Sequence, residues 1–354
     1  MLSLEDWESI AQAVFELENS NKFLQYTNAI SDSLSAVIKK DYEQGANEPT
    51  IVKDISKAIN LVQTVSERLE SGLMFSSNIN SAFIHGKKSF VEFSLAGSKH
   101  RCELGDVIFI SSLAWKGKIV AERITINQVK KENPKSKSSW GIDKTQFFLL
   151  MRFPTFKGVS GFFNGNTVNA VNETGCLGSY GFLKYSDDLA FVGSMILDAC
   201  LGGESSLKKD SFLCFHLLDK LSNIGSIGFN PFYFRSRFWS YSVEYCPNIY
   251  DFVRHYCRSL IGEPVCGYYG FNSSIKSLVD IIKNFTNKKA KEDKTSKELQ
   301  ALVTSFSRFP YAYQETSGNK NGRVIEDNPS IEIETGEDGG LAIIHSMINI
   351  GERI

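Results

Sequence analysis

The sequence predicts a mixed α/β fold, with a helical N-terminal segment, a small mixed β-sheet and a second region that combines α and β structure. Apolar residues recur at helical spacing across the first part of the chain, and three runs rich in β-branched and aromatic residues follow. At 354 residues the chain exceeds the roughly 250–300 residues at which single cores stop growing. We therefore expect more than one domain.

Three helices are predicted near the N-terminus. Residues 3–42 carry apolar side chains at intervals of three and four, which is typical of two amphipathic helices, and the segment GANEP at 45–49 breaks the pattern. A further helix is predicted from 51 to 73, with Glu67 and Glu70 near its end.

Three strands are predicted next, at 89–95, 106–113 and 119–129. Residues 115–118 include Gly117 and are typical of a hairpin connection between the second and third strands. The basic, polar stretch KKENPKSKSS that begins at Lys130 predicts a surface loop or a domain boundary. The predicted divisions are 1–50, 51–131 and 140–354.

Beyond Trp140, aromatic runs broken by glycine predict short strands and tight turns. Three further helices are predicted, at 188–201, 248–261 and 273–285. The charged run at 287–298 predicts a solvated loop or helix surface. We expect the tail at 317–340, which is rich in Gly, Asn and Glu, to be mobile.

Charge and cysteine usage limit the classes of function. The 39 Lys and Arg residues against 40 Asp and Glu give a net charge of -1, so any contact with nucleic acid must be local. The sequence has neither a signal-peptide pattern nor an apolar run of about 18 residues. The 7 cysteines are odd in number and form no CxxC pair. We expect a cytoplasmic protein with reduced thiols and no membrane association.

The stretch between Gly105 and Lys130 carries the chemistry. Asp106 opens an apolar strand, and the returning strand ends with Gln128 and Lys130, whose side chains share a face because they are two positions apart. A carboxylate and an amide oxygen are hard ligands for Mg²⁺, and a Lys ammonium can stabilise charge on a phosphate or orient a water. The alternative is that Asp106 caps a turn and the other two side chains face solvent on an edge strand.

These residues resemble the PD-(D/E)xK nuclease superfamily, over roughly residues 51–131. Gly105 stands where Pro is common, and Gln128 stands where an acid is usual, as in the QxK variants. The resemblance implies that Asp106 and Gln128 hold Mg²⁺ or Mn²⁺ and that Lys130 contacts phosphate or activates water. It also implies a Glu from the preceding helix. Glu70 is our first candidate, with Glu67 and Glu103 as alternatives.

The resemblance implies a metal-dependent nuclease that acts on DNA, in bacterial defence against foreign DNA. Residues 140–354 would then recognise substrate or a protein partner, and self-association stays open. The competing hypothesis is a non-catalytic interaction module that keeps a nuclease-like scaffold, which the near-neutral charge favours. A third is an unrelated enzyme whose site lies after residue 140.

Other candidate sites are weaker. The glycines of TGCLGSYGF match no phosphate-binding loop and are expected in turns, and the arginines of PFYFRSRFW are expected on one face of a strand. No histidine has a Ser or Cys partner in a recognisable nucleophile motif. His255, Cys257 and the flanking Cys246 and Cys266 match no usual zinc spacing, so buried thiols are expected.

Overall fold

The computed structural model describes residues 2–86, 89–95, 97–133, 139–172, 175–184, 188–201, 211–214, 242–268, 270–312 and 339–351. Within these ranges the fold is mixed α/β, as the sequence predicts. A large mixed sheet carries helices on both faces, and a second, antiparallel sheet contributes to one of the two cores.

The helices in the described ranges are α1 (Leu4–Asn19), α2 (Asn21–Glu43), α3 (Glu48–Ile59), α4 (Lys144–Arg152), α5 (Ser194–Leu201), α6 (Ile249–Cys257), α7 (Ser273–Glu292) and α8 (Lys297–Ser307). The two helices predicted in 3–42 are confirmed, and GANEP separates α2 from α3. Asn47 caps α3 by accepting a hydrogen bond from Thr50 N at 3.0 Å, and Pro49 lies in the first turn.

The strands of the first half are β1 (Val65–Arg68), β2 (Met74–Gly86), β3 (Phe90–Leu95), β4 (Ser98–Glu103), β5 (Val107–Trp115), β6 (Lys118–Lys131) and β7 (Ser139–Ile142). The strands of the second half are β8 (Phe156–Gly158), β9 (Thr167–Val168), β10 (Gly178–Leu183), β11 (Leu189–Gly193), β12 (Ser211–Cys214), β13 (Tyr245–Cys246), β14 (Glu263–Gly267), β15 (Gly270–Phe271) and β16 (Gly339–Gly351).

The main sheet has the order β1-β2-β16-β5-β6-β10-β11-β13, with β14 paired to the first part of β6 and β15 paired to β14. The pairs β16–β5 and β6–β10 are parallel, and the others are antiparallel. The predicted hairpin is confirmed, because β5 and β6 are joined by Lys116 and Gly117, whose φ angles are 49° and 76°.

Two helix predictions are wrong in part. The helix expected at 51–73 ends at Ile59, and β1 follows, where β-branched Val65 pairs with Ser77 of β2. The helix expected at 188–201 begins only at Ser194, because the preceding apolar run forms β11, which is buried on both faces. A short apolar run of this kind cannot be assigned to helix or strand by periodicity.

The C-terminal part of the chain completes the main sheet. β16 lies between β2 and β5, antiparallel to the first and parallel to the second. β16, from the predicted 140–354 region, therefore lies in one sheet with β2 and β5, which belong to the predicted 51–131 region. Residues 317–338 of the tail expected to be mobile lie outside the described ranges, while Gly339 and Gly340 begin β16.

The main sheet separates two apolar cores. On one face, Ile108 and Ile126 pack with residues of α4, α7, α8 and the second sheet. On the other face, Val107 and Val129 pack with residues of α1, α2, α3 and α6. Both faces of β5 and β6 are therefore covered, and the ends of these two strands are left to form a site.

The second sheet has the order β4-β3-β8-β9. Its inner face carries Val91, Phe93 and Phe156, all buried in the same core as α4. Phe93 stacks on Phe148 of α4 with ring centroids 5.9 Å apart. Since β4 leads directly to Asp106, this packing fixes the direction from which the chain enters β5.

Candidate functional site

Asp106 meets the end of β6 because β5 and β6 form an antiparallel pair in which Val107 lies opposite Asn127. Asp106 N donates a hydrogen bond to Asn127 O at 2.9 Å. Gly105 makes this close approach possible, since a β-carbon there would lie 2.8 Å from Ile126 Cγ2 and 3.1 Å from Asn127 O. The glycine therefore permits the backbone contact that places the Asp106 side chain.

One oxygen of Asp106 accepts two hydrogen bonds. Gln128 Nε2 donates to Asp106 Oδ2 at 2.5 Å, and Val129 N donates to the same oxygen at 2.8 Å. Among the described residues, none donates a hydrogen bond to Oδ1. The carboxylate is therefore held through one oxygen, and the other is available to a ligand.

Gln146, on the first turn of α4, fixes the orientation of Gln128. Its Nε2 donates to Glu103 O at 3.0 Å and also to Gln128 Oε1. A backbone carbonyl only accepts hydrogen bonds, so the Gln146 amide must present its nitrogen at this point. Gln128 must then turn its oxygen to Gln146 and its nitrogen to Asp106. Both glutamines are buried.

Lys130 lies two residues beyond Gln128 on β6 and lines the same pocket as Asp106. Among the described residues, no carboxylate forms an ion pair with the Lys130 ammonium within 4.0 Å. Its charge nevertheless acts on Asp106 by lowering the pKa of that carboxyl. Lys130 is thus close enough to lower the pKa of Asp106, and within the described ranges its ammonium forms no ion pair.

The pocket has a volume of about 420 Å³. Its wall carries four carboxylates, those of Glu48, Glu103, Asp106 and Asp143, and two cations, those of Arg101 and Lys130. The acidic residues come from the first turn of α3, the end of β4, the start of β5 and the cap of α4. Three separate parts of the sequence, around Glu48, Glu103 to Asp106, and Asp143, therefore converge on one polar cavity.

The environment of Asp106 opposes its negative charge. Burial raises the pKa of Asp106 to about 7, and the Glu103 carboxylate adds to the rise. Lys130 and the Val129 N–H act in the opposite direction, and Glu48 raises the pKa slightly further. An acid with a pKa near neutrality beside other carboxylates is frequent at functional sites.

Glu70 is not brought to this pocket. It lies in the turn between β1 and β2, next to Met74, which pairs with Gly351. Phe83 of β2 pairs with Ala342, and Ala342 pairs with Val107, so Phe83 marks the level of the pocket on β2. It lies about 30 Å from Met74 along the strand. Glu67 is in β1 and accepts a hydrogen bond from Ser20 Oγ. Of the three candidate glutamates, only Glu103 lines the pocket.

The donor set suits a hydrated Mg²⁺ ion better than a fully protein-bound metal. Among the described residues, no group of three His, Cys, Asp or Glu side chains is arranged to hold an ion. Mg²⁺ commonly uses one or two carboxylates and keeps several waters. Asp106, Glu103 and Glu48 are the carboxylates on the pocket wall that this donor set would draw on. The Gln128 oxygen, predicted as a metal ligand, accepts a hydrogen bond from Gln146.

Sequence analysis did not identify Glu48 or Gln146. Local signals for both are present, since Asn47 and Pro49 mark the start of α3 and Asp143 accepts a hydrogen bond from Gln146 N at 2.7 Å as the cap of α4. These signals place the helix starts. The packing of α3 and α4 on the sheet then brings Glu48 and Gln146 to the pocket around Asp106. The sequence contains no local signal for this packing.

The weaker candidates are placed as follows. Gly178 and Gly181 lie within β10, so the expectation of turns is wrong for both; Gly175 has φ +78°. Cys246, Cys257 and Cys266 are buried and form no disulfide within the described ranges. The PFYFRSRFW segment and His216 lie outside the described ranges.

A second polar cluster lies inside the protein. Ser112 Oγ donates to Glu122 Oε1 at 2.8 Å and lies 2.9 Å from His345 Nε2, while Ser305 Oγ lies 2.8 Å from His345 Nδ1. Ser112, Glu122 and His345 are at most 2% exposed. Burial lowers the pKa of His345 to about 3. The cluster is therefore a buried hydrogen-bond network around a neutral His345, and we assign it a structural role.

No protein-family model, curated protein or solved structure matches this chain. Within the described ranges, no helix has the length and apolar character needed to cross a membrane.

Proposed function

We propose that this protein is a Mg²⁺- or Mn²⁺-dependent nuclease of the PD-(D/E)xK kind that hydrolyses DNA in the pocket around Asp106. The observation that carries the proposal is the convergence of Asp106, Gln128 and Lys130 at the ends of two paired strands. In chain order, α3 is followed by β1 to β4, then by β5, which begins after Asp106, and by β6, which carries Gln128 and Lys130.

Each residue has a distinct role in this proposal. Asp106 would hold the metal through Oδ1, and Glu103 or Glu48 would supply the second carboxylate. Mg²⁺, when bound, stabilises negative charge on the phosphate. Lys130, whose ammonium has no ion-pair partner among the described residues, would contact a phosphate oxygen or orient the attacking water.

Gln128 would act on Asp106 rather than on the metal. Its amide nitrogen donates to Asp106 Oδ2, and its oxygen is engaged by Gln146. Residues that hydrogen-bond to a metal ligand fix the ligand's orientation. Gln128 and Gln146 would therefore keep Oδ1 of Asp106 directed into the pocket.

The orientation of Gln128 also favours a second candidate function. An amide in place of the usual acid removes one negative charge, and the amide oxygen already accepts a hydrogen bond from Gln146. A chain that had lost metal binding could retain the fold as an interaction module. In this alternative, the Asp106–Gln128–Gln146 chain of hydrogen bonds would only stabilise the end of the sheet.

Cleavage assays distinguish the two functions. Plasmid DNA, linear DNA and RNA would each be incubated with the full chain and Mg²⁺, Mn²⁺ or EDTA. The nuclease proposal expects metal-dependent cleavage of DNA that is lost in Asp106→Ala and in Lys130→Ala. Glu70→Ala is the matched control, because Glu70 lies at the opposite end of the strands and its loss should leave cleavage unchanged.

Two further variants select the second carboxylate. Glu48→Gln and Glu103→Gln each remove one charge from the pocket, and the variant that raises the Mg²⁺ concentration needed for cleavage identifies the ligand. Cleavage that persists in Asp106→Ala would show that this pocket is not the active site. The absence of cleavage by the wild type with every metal and substrate would favour the interaction module.

A further inference from the structure

The outward face of the second sheet adjoins the pocket. Arg101 and Glu103 of β4 line the pocket wall. Arg101 pairs with Glu92 of β3, and Glu92 pairs in turn with Lys157 of β8. Directly paired residues point to the same side of a sheet, so these side chains form one row across three strands.

The burial pattern identifies this row as the solvent side. Val91, Phe93 and Phe156 on the opposite face are buried, whereas Arg101 and Lys157 are exposed. Lys99 is two residues before Arg101 on β4, so it shares their face, and it is also exposed. Three cations therefore lie on one sheet surface that is continuous with the pocket.

Within the described ranges, these three cations form no ion pair with a neighbouring side chain at 4.0 Å or less, although Glu92 stands between two of them in the row. The spacing is about 7 Å from Lys99 to Arg101 along β4 and about 10 Å from Arg101 to Lys157 across two strands. The cations are thus spread along a surface, as required for contacts to successive phosphates.

An aromatic ring lies on the same face. Phe90 of β3 pairs with Glu103, and the Arg101 guanidinium carbon lies 4.9 Å from the centre of the Phe90 ring. Arginine planes and aromatic rings provide stacking surfaces for unpaired bases, and basic side chains beside them hold the phosphates. A flat sheet face with both features suits a single strand, whose bases are accessible.

We propose that the face formed by Phe90, Lys99, Arg101 and Lys157 binds a single strand of nucleic acid and leads it to the pocket around Asp106. The inference rests on the proposed function, since it assigns a substrate class to that pocket. The net charge of -1 on the whole chain does not oppose it, because the binding charge is local to one sheet face. The occupant is single-stranded DNA, and binding of duplex DNA is a competing outcome of the test.

The test measures binding without cleavage. Fluorescence anisotropy of labelled single-stranded and duplex 20-mers would be recorded with the full chain in EDTA, over a series of salt concentrations. Each phosphate contact on a single strand contributes about 0.7 to the slope of log affinity against log salt. Lys99→Gln/Lys157→Gln should reduce this slope by about 1.4 and weaken binding roughly 25-fold at 0.1 M salt.

The matched control is Lys22→Gln/Lys39→Gln. Both lysines are exposed on α2, which packs in the other core, and the control removes the same charge from the chain. Equal weakening by the two double variants would overturn the proposal, as would a wild type that binds the duplex more tightly than the single strand. Circular dichroism would establish that both variants are folded.

Parallel cleavage assays separate this inference from the proposed function. Metal-dependent cleavage without any specific effect of the Lys99 and Lys157 substitutions would overturn the binding face and leave the nuclease proposal intact. Binding that depends on Lys99 and Lys157, without any cleavage, would support the binding face and contradict the nuclease proposal. A wild type that binds neither strand form would overturn the binding face.

Discussion

The Gln128 amide donates a hydrogen bond from Nε2 to Oδ2 of Asp106 at 2.5 Å. Gln128 stands where the resemblance implies a metal-binding acid, and its side chain donates a hydrogen bond to Asp106. Under the proposed function, the amide lowers the affinity for Mg²⁺, and it also avoids a further buried carboxylate in the metal-free pocket. Both consequences can be measured by restoring the acid.

Gln128→Glu should strengthen Mg²⁺ binding and destabilise the metal-free protein. The added carboxylate contributes a full negative charge next to Asp106, and Mg²⁺ affinity rises with ligand charge. A dissociation constant about tenfold lower corresponds to about 1.4 kcal/mol of binding free energy. Isothermal calorimetry with Mg²⁺ and thermal melting in EDTA would measure the two effects. Gln128→Leu is the control, and equal Mg²⁺ affinity in both variants would contradict the prediction.

Gln146→Ala should reduce cleavage by about 10- to 100-fold, which is typical of losing a residue that orients a metal ligand. Without Gln146 Nε2, the Gln128 amide is no longer held with its nitrogen toward Asp106. Cleavage rates as a function of Mg²⁺ concentration would measure the loss. Gln146→Glu retains the size of the side chain but lacks the donor, so it should lose as much. Normal cleavage by Gln146→Glu would show that the hydrogen bond has no role.

The convergence of Asp106, Gln128 and Lys130 was predictable because it depends on local structure. A two-residue turn joins β5 and β6, so the start of β5 lies beside the end of β6. A β-bulge between Leu113 and Ala114 shifts the register by one residue and sets Val107 opposite Asn127. The side-chain alternation then places Gln128 and Lys130 on one face. Sequence periodicity contains this information, but it does not contain the bulge that sets the final register.

The remaining parts of the site depend on contacts between distant segments. Glu48 reaches the pocket because α3 packs against β2, β6 and β16, and its Oε1 accepts a hydrogen bond from Lys131 N at 2.7 Å. β16 joins the sheet from more than 200 residues beyond β5. Neither placement follows from propensity or period, since many other pairings of the same elements would bury similar apolar area.

The stability of the metal-free protein should depend on the ionisation of Asp106. Its pKa in the fold is about 7, above its ordinary value of 3.8. Between these pH values the folded protein retains a proton that the unfolded chain releases, so this group makes stability fall as pH rises. The loss is complete above about pH 7 and absent below about pH 4.

Asp106→Asn isolates this contribution, because asparagine does not titrate. The melting temperature of the variant relative to the wild type should increase between pH 4 and pH 7 and then remain constant. Melting in EDTA at pH 4, 5.5, 7 and 8.5 would measure the difference. A constant difference across this range would mean that the Asp106 pKa is unshifted in the fold.

The buried ion pair of Glu122 and Lys283 should be the most sensitive point of the fold outside the pocket. Glu122 is fully buried, Lys283 Nζ donates to its Oε1 at 3.1 Å, and Tyr311 OH also donates to it. Burial raises the pKa of Glu122, but Lys283 and the hydrogen bonds outweigh this effect and lower it overall. The charge on Glu122 therefore depends on its partners.

Lys283→Met should cost about 3–5 kcal/mol in the free energy of unfolding, because it leaves a buried carboxylate without its counter-charge. The cost should be smaller near pH 4 than at pH 8, since protonation of Glu122 relieves it. Glu122→Gln/Lys283→Met should recover most of the loss, because no buried charge remains. Urea denaturation of the three proteins at both pH values would test this, and a double variant no more stable than Lys283→Met would show that packing, rather than charge, accounts for the loss.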